Sequence, residues 1–420
     1  MAVDRTDTLF DPTEGLPPDA RARRESERLR GAAAAAYAHA PAARKRFDDS
    51  GLHPDRIQDL RDLAPLGVLR KDTLPQVQAA APPFGGLLGA PVASLRRIYA
   101  SPGPIYDPEA RGEDPWGLAP ALHAAGFRPG DVALVTFSFH LTPAGHMMDA
   151  ALDRLGCVVI PGGTGNTEVQ ARAAADLGAT GIVGTPSFVL ALLERLQALG
   201  LRHHLDVALV SGEPLPTALR HQVRTVHGVR MTQTYATADV GLIAYECPAA
   251  QGLHLSDHVA VELLDPEAGR AVPPGAAGEV VVSLLEPPYG LLRFGTGDLA
   301  AAAPGPCPCG RTAPRLTGIL GRVGDAVKIR GLFVHPSEVD LVTLGVPEVG
   351  RYQIVVTRPG DRDEATIRVE VRAGADPAAV GARVAAAAQE RLRLRLAVEV
   401  VPPGAIADGA PRILDARHWE

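Results

Sequence analysis

The chain has 420 residues, of which 46% are hydrophobic, 21% are charged and about a fifth are Gly (44) or Pro (38), with a formal charge of −6. That is long enough for two or three domains with full cores, too apolar for a disordered chain, and free of the roughly 18-residue apolar run that a membrane span needs. The acidic balance argues against nucleic acid as a partner, and aromatics at 4% leave the core to Ala, Leu and Val.

In chain order, the opening MAVDRTDTLFDPTEG is acidic and lacks an apolar signal core, which predicts a cytoplasmic protein without membrane association. Arg21 to Ala43 is rich in Ala, Arg and Glu, with Leu29, Ala33 and Tyr37 at helical spacing. From about residue 130 the pattern alternates. DVALVTFSF, CVVIPGG, TGIVGT and DVALVSGEPL read as strands, with AGHMMDAALDRLG, TEVQARAAADLG and PSFVLALLERLQALG as helices between them. Strand and helix in alternation, with short Gly/Pro joins, predict an α/β fold with a mainly parallel sheet. A β-rich stretch runs from VAVELLD to GEVVVSLL. After residue 331, RYQIVVTR, EATIRVEVRA and LAVEVV read as strands and PAAVGARVAAAAQERLRLR as a helix. The expected division is a large N-terminal domain over 1–321, a hinge over 322–330 and a small α+β domain over 331–420.

Four cysteines occur. Cys247 and His254 form C-x6-H, and Cys307 and Cys309 form C-P-C-G with Gly310 at the turn. Three thiolates and an imidazole make a closed tetrahedral zinc set, structural rather than catalytic because no fourth position stays open. His258 is an alternative ligand, and two reduced cysteines beside a loop histidine remain the plainer alternative. Cys157 opens a predicted strand and reads as a buried core thiol.

Seven separated stretches occur in an order that resembles the phenylacetate–CoA ligase family of adenylate-forming enzymes. They are LRGAAAAAYAHAPAARKRFDDSGLHPDRI with DLAPLGVLRKDTL, LGCVVIPGGTGNTEVQ, GTPSF, SGEPL, ECPAAQGLHLSDH, RFGTGDL and GRVGDAVKIRGLFVHPSEVD. The resemblance implies the adenylate-forming fold with a mobile C-terminal domain, and the joining of a carboxylic acid to ATP and then, through acyl-AMP, to CoA. It places Tyr235 against adenine, with Ser211, Gly212, Glu213 and Pro214 bordering it. Asp298 falls on the ribose hydroxyls, Arg322 near the ribose, Asp325 at the hinge pivot and Lys328 near the thioester-forming centre. It implies an acyl pocket near Phe139, His140, Thr142, Ala144, Ala236 and Thr237, suited to an aryl or small carboxylic acid, and a structural zinc. Magnesium as a cofactor and a homodimer stay open.

Three departures bear on the first half-reaction. Where the family has a phosphate loop like SSGTTGKP, this chain has ASPGPIYDPE, with Pro102, Pro104 and Asp107 in place of hydroxyls and a lysine. Proline removes a backbone donor and aspartate repels phosphate. The glutamate that helps hold magnesium is replaced by Asp239, a shorter carboxylate that can still serve through water and keeps a catalytic role in the resemblance. The C-terminal catalytic lysine, in a stretch like EGKAKRV, is replaced at Ala410 or Pro411 within DGAPRILDAR, and Arg412 is the nearest cation. Losing one such cation typically costs about 100- to 1,000-fold in rate. The expectation is an acid–CoA ligase-like enzyme with impaired adenylation. The alternatives are a catalytically silent binding protein and a diverged enzyme that uses a preformed acyl-AMP or acyl-CoA.

Overall fold

Proline divides the N-terminal helical stretch. Helix α1 spans Pro18–His39 and α2 spans Pro41–Ser50, so the single expected helix is two. Pro41 has no N–H to continue the first helix and its fixed φ suits the first position of the second. Leu29, Ala33, Ala36 and Phe47 from the pair are buried in one cluster with Ile57 and Leu63. The computed structural model describes residues 4–6, 8–101, 105–286, 288–323, 327–329, 332–334, 336–357, 359, 364–392 and 394–417; Pro102, Pro104 and Asp325 lie outside these.

The chain divides into two compact units, the first formed by 1–262, 280–296 and 302–318, the second by 263–279, 297–301 and 319–420. In the first unit α3 is Leu74–Ala80, and a hairpin pairs β1 (Arg97–Ser101) with β2 (Ile105–Glu109). The alternating region then gives α4 (Ala119–Ala125), β3 (Val132–Val135), α5 (Ala144–Arg154), β4 (Val158–Pro161), α6 (Thr167–Asp176), β5 (Gly181–Gly184), α7 (Pro186–Ala198), β6 (Val207–Val210) and α8 (Thr217–His227). β7 (Arg230–Thr237), β8 (Gly241–Glu246), β9 (Leu253–Leu255) and the start of β10 (Arg315–Arg322) complete it. The sheet order is β10-β9-β8-β7-β6-β5-β3-β4. β4, β3, β5, β6 and β7 run parallel and β7, β8 and β9 antiparallel. Strands Val259–Leu264, Gly278–Leu284 and Phe294–Ala303 give residues to both units.

The parallel strands carry Val, Ile, Leu and Ala at consecutive buried positions, as a sheet covered on both faces requires. Helix α7 shows how one face is covered. Thr185 caps it, its hydroxyl accepting from the Phe188 N–H at 3.3 Å, and Val189, Leu192, Leu193 and Leu196 form its buried stripe.

In the second unit, β11 (Val327–Ile329) pairs with β12 (Leu332–Val334), and Lys328 stands opposite Phe333. Helix α9 (Pro336–Leu344) leads into a four-stranded sheet of order β15-β14-β13-β16. Its strands are β13 (Val349–Thr357), β14 (Glu364–Val371), β15 (Ala397–Val401) and β16 (Ile413–Asp415), with α10 (Pro377–Leu392) before β15. Val339, Val342, Val380, Val384 and Ala388 from the helices bury against Ile354, Val356, Ile367 and Val369 of the sheet. No helix among the described residues is long and apolar enough to cross a membrane.

Candidate functional site

The loops at the ends of β6 and β7 carry the residues singled out in SGEPL and TQTYATADVG. Ser211 follows β6 and donates its hydroxyl to the Thr234 carbonyl at 2.9 Å, tying the loop to β7. Gly212 has φ +81, a conformation that suits glycine. The Glu213 carboxylate accepts from the Ser187 N–H at 3.2 Å and the Ser187 hydroxyl at 2.9 Å, so GTPSF and SGEPL are joined through the start of α7. Tyr235 is largely buried at the end of β7, and its hydroxyl donates to Thr296 Oγ1 at 3.2 Å. Ala236 and Phe139 pack against the same buried cluster, and Phe139 meets the His146 ring edge-on at 5.0 Å. Thr142 is half-buried in the same loop as Phe139, and His140 is exposed there. The buried hydroxyl of Thr237 has no hydrogen-bond partner among the described residues. In the second unit, Arg322 Nε donates to Asp298 Oδ1 at 3.0 Å.

The departures have structural counterparts. Asp107 lies on β2 with its carboxylate fully buried, and neither oxygen has a hydrogen-bond partner among the described residues. Burial first, then the charge of Asp239, push its pKa up to about 7, while Ser101 and Lys71 act the other way. Asp239 follows β7, also buried, with Lys71 Nζ 2.5 Å from its Oδ2. The Lys71 ammonium thus neutralises one oxygen of the carboxylate that the resemblance sets beside magnesium, while Oδ1 has no hydrogen-bond partner among the described residues. In the second unit, Arg412 Nη1 lies 2.8 Å from Asp340 Oδ2 on α9, and the Arg412 carbonyl accepts from the Ile354 N–H at 2.8 Å. That cation serves a pairing within its own unit.

Lys71 joins the candidate site although pattern alone does not mark it. Its signal was the lysine–aspartate turn in LRKDTL, and its link to Asp239, across 168 positions, needs the fold.

Cys247, His254, Cys307 and Cys309 converge, with ligand atoms all within 4.8 Å of one another. Cys247 Sγ lies 3.6 Å from Cys307 Sγ, and Cys309 Sγ lies 3.4 Å from His254 Nε2. A zinc tetrahedron with ordinary bond lengths has S···S edges of about 3.8 Å and S···N edges of about 3.5 Å, so the donor set fits that ion. His254 sits on β9, which pairs it with Arg315, and its Nδ1 faces the Ala313 carbonyl at 3.4 Å. Burial, then the positive charges of Arg311, Arg315 and Arg21, push the imidazole down to about 4, which keeps it neutral as ligation requires; a backbone hydrogen bond at Ala313 acts the other way. Arg315 donates to the Pro304 and Gly305 carbonyls, both at 2.9 Å, steadying the loop ahead of Cys307. Gly310 has φ +85, the turn expected after C-P-C. His258 does not belong to this cluster, and Cys157 is a buried thiol within the first unit's core.

Residues 117–284 match the AMP-binding enzyme family and residues 331–417 match the AMP-binding enzyme C-terminal domain. The chain is 34% identical to phenylacetate–coenzyme A ligase of Thermus thermophilus over 374 residues, covering 85% of this chain and 83% of that one. The chain belongs to the phenylacetate–coenzyme A ligase family. The Pseudomonas putida phenylacetate–coenzyme A ligase is 31% identical over 389 residues, 89% of this chain and 87% of that one. Among solved structures, an open conformation of 2-hydroxyisobutyryl-CoA ligase in complex with 2-HIB-AMP and CoA superposes with a TM-score of 0.84 at 27% identity, over 99% of this chain and 97% of that one. The chain therefore has the adenylate-forming enzyme fold and is an acid–CoA ligase-like enzyme of this family.

Proposed function

We propose that this enzyme forms a CoA thioester of an aryl or small carboxylic acid from its acyl-AMP, with adenylation by ATP much weakened. The observation that carries the reading is a contrast. Tyr235, the Ser211–Pro214 loop and the Asp298–Arg322 pair, which the resemblance gives to adenosine, are present and ordered by their own hydrogen bonds, whereas a buried acid stands where the family has its phosphate loop and Arg412 is held by Asp340. The solved 2-hydroxyisobutyryl-CoA ligase holds an acyl-AMP and CoA, which supports the same two ligand classes here.

In this reading Tyr235 offers its flat face to adenine, and Asp298, an acceptor-only group, takes the ribose hydroxyls. Phe139, Thr142, Ala236 and Thr237 line the acyl pocket, with His140 at its outer edge. The CoA thiol, as thiolate, attacks the acyl carbonyl; the bond to the AMP phosphate oxygen breaks, AMP leaves and the thiol proton passes to solvent. Lys328, from the β11–β12 hairpin, is the proposed cation for that step. Cys247, His254, Cys307 and Cys309 would hold one structural zinc, which would tie the β8–β9 region to the loop before β10.

The test compares two rates in one preparation: phenylacetyl-AMP plus CoA, and phenylacetate plus ATP and CoA. The expected result is turnover of the adenylate with ATP-dependent formation slower by about 100-fold or more, since each missing cation costs on that order. Equal rates would restore a complete ligase. No turnover of several acyl-AMPs would leave a silent binding protein.

A further inference from the structure

We propose that Thr296 is a positioning residue for nucleotide binding: its hydroxyl fixes the Tyr235 ring in the orientation that meets adenine and takes up the phenol proton, so that this tyrosine reads the base by its ring face alone. The inference rests on the placement of adenosine at Tyr235 proposed above.

A short chain of hydrogen bonds runs behind the ring. Tyr235 Oη donates to Thr296 Oγ1 at 3.2 Å, and Thr296 Oγ1 donates to the Val280 carbonyl at 2.9 Å. Tyr235, Val280 and Thr296 all belong to the first unit, with Thr296 and Val280 on the neighbouring strands Phe294–Ala303 and Gly278–Leu284. Chemistry fixes the direction of the chain. A carbonyl can only accept, so the single hydroxyl proton of Thr296 goes to Val280, and toward Tyr235 the same oxygen can only accept. The phenol must then donate, and it has no second proton for a ligand. Burial falls along the chain, from Val280 at 0% exposed through Thr296 at 1% to Tyr235 at 9%. The anchor thus lies in the core, and the ring at its outer end keeps the exposed part. Such an anchor matters at this position. The β7–β8 register shifts between Tyr235 and Ala236, so the regular ladder that would hold the backbone is interrupted beside the ring. A stacking platform left free to turn must be ordered by the ligand, which weakens binding; a buried hydrogen bond at the far end of the ring removes that freedom in advance. Removing one partner of such a bond typically costs about threefold to tenfold.

Calorimetric titration of the full chain with AMP tests this in wild type, Thr296→Val, Thr296→Ser, Tyr235→Phe and Thr296→Val combined with Tyr235→Phe, with urea unfolding of each to establish folding. Thr296→Val and Tyr235→Phe should each weaken AMP binding about threefold to tenfold. Thr296→Ser keeps the hydroxyl and should stay within about twofold of wild type. The double variant should stay within about twofold of the weaker single one, because both substitutions remove the same bond. A side chain that only fills space would give the reverse order, with Thr296→Val harmless and Thr296→Ser weaker. If Thr296→Val does not fold, Tyr235→Phe and Thr296→Ser carry the same comparison. An AMP affinity unchanged in Tyr235→Phe, losses that multiply in the double variant, or the reverse order at Thr296 overturns the assignment while leaving the adenosine site standing. Absence of AMP binding in wild type is the different result that removes the adenosine site, and this inference with it.

Discussion

Lys71 Nζ and Asp239 Oδ2 are 2.5 Å apart, and Asp239 is completely buried while Lys71 keeps 26% of its side chain exposed. The pair joins the turn before α3 to the turn after β7. One ammonium therefore faces two buried carboxylates, those of Asp239 and Asp107, and the local charge does not balance.

This imbalance has a signature in pH. The Asp107 carboxyl is raised to about 7, by burial first and then by Asp239, against Ser101 and Lys71. Tyr289 is the further titratable group near both acids. A raised folded-state value means that the folded protein holds a proton which the unfolded chain releases near pH 4. This group's contribution is thus fully present below about pH 4 and is lost as pH rises to about 7, amounting to roughly 4 kcal/mol at most. Asp107→Asn should raise stability at pH 8 and change it little at pH 4.5. Urea unfolding at both values reads the difference; an equal shift at the two pH values would contradict the buried, raised acid.

The Cys247–His254–Cys307–Cys309 cluster should contain one zinc per chain by elemental analysis. Cys309→Ser should lower the zinc content and the Tm by at least about 4 °C, the scale of a lost structural ligand in a domain of this size. A metal-free protein of unchanged Tm would show that the four side chains meet as reduced thiols and a neutral imidazole only.

Arg412 is half-exposed and paired with Asp340. Arg412→Ala should therefore cost under about 1 kcal/mol, as exposed ion pairs do, and should leave thioester formation from acyl-AMP within about threefold. A hundredfold loss of ATP-dependent activity would instead show that Arg412 has taken over the missing lysine's work.

Leu193, with no exposed surface on α7, anchors that helix against the parallel sheet. Leu193→Ala should cost about 2–5 kcal/mol by chemical denaturation. A smaller loss would mean that the helix collapses into the gap.

The parallel strands and their helices were legible because β5 and β6 are continuous apolar runs and α7 keeps its apolar residues three and four apart. The convergence of Cys247, His254, Cys307 and Cys309 was legible for a chemical reason, since cysteines and histidine at tight spacing have few uses other than a shared metal. The break at Pro41 was written in the chain, but the long Ala-rich period outweighed one residue. What spacing could not reveal was pairing over distance. Asp107 read as a charge that repels phosphate, and its complete burial depends on β1, β2 and the loops around them. Lys71 gained its meaning only when the fold brought it to Asp239.

The four proposed zinc ligands come from two stretches separated by about 50 residues between His254 and Cys307. Closing a chain of that length costs about 3–4 kcal/mol in entropy. Either stretch alone offers only two donors, a weak half-site. Metal capture must therefore follow the folding of the strands between them, making the ion a late arrival that locks an already assembled sheet. Refolding without zinc should then reach native-like secondary structure first and gain its last stability only when the ion is added.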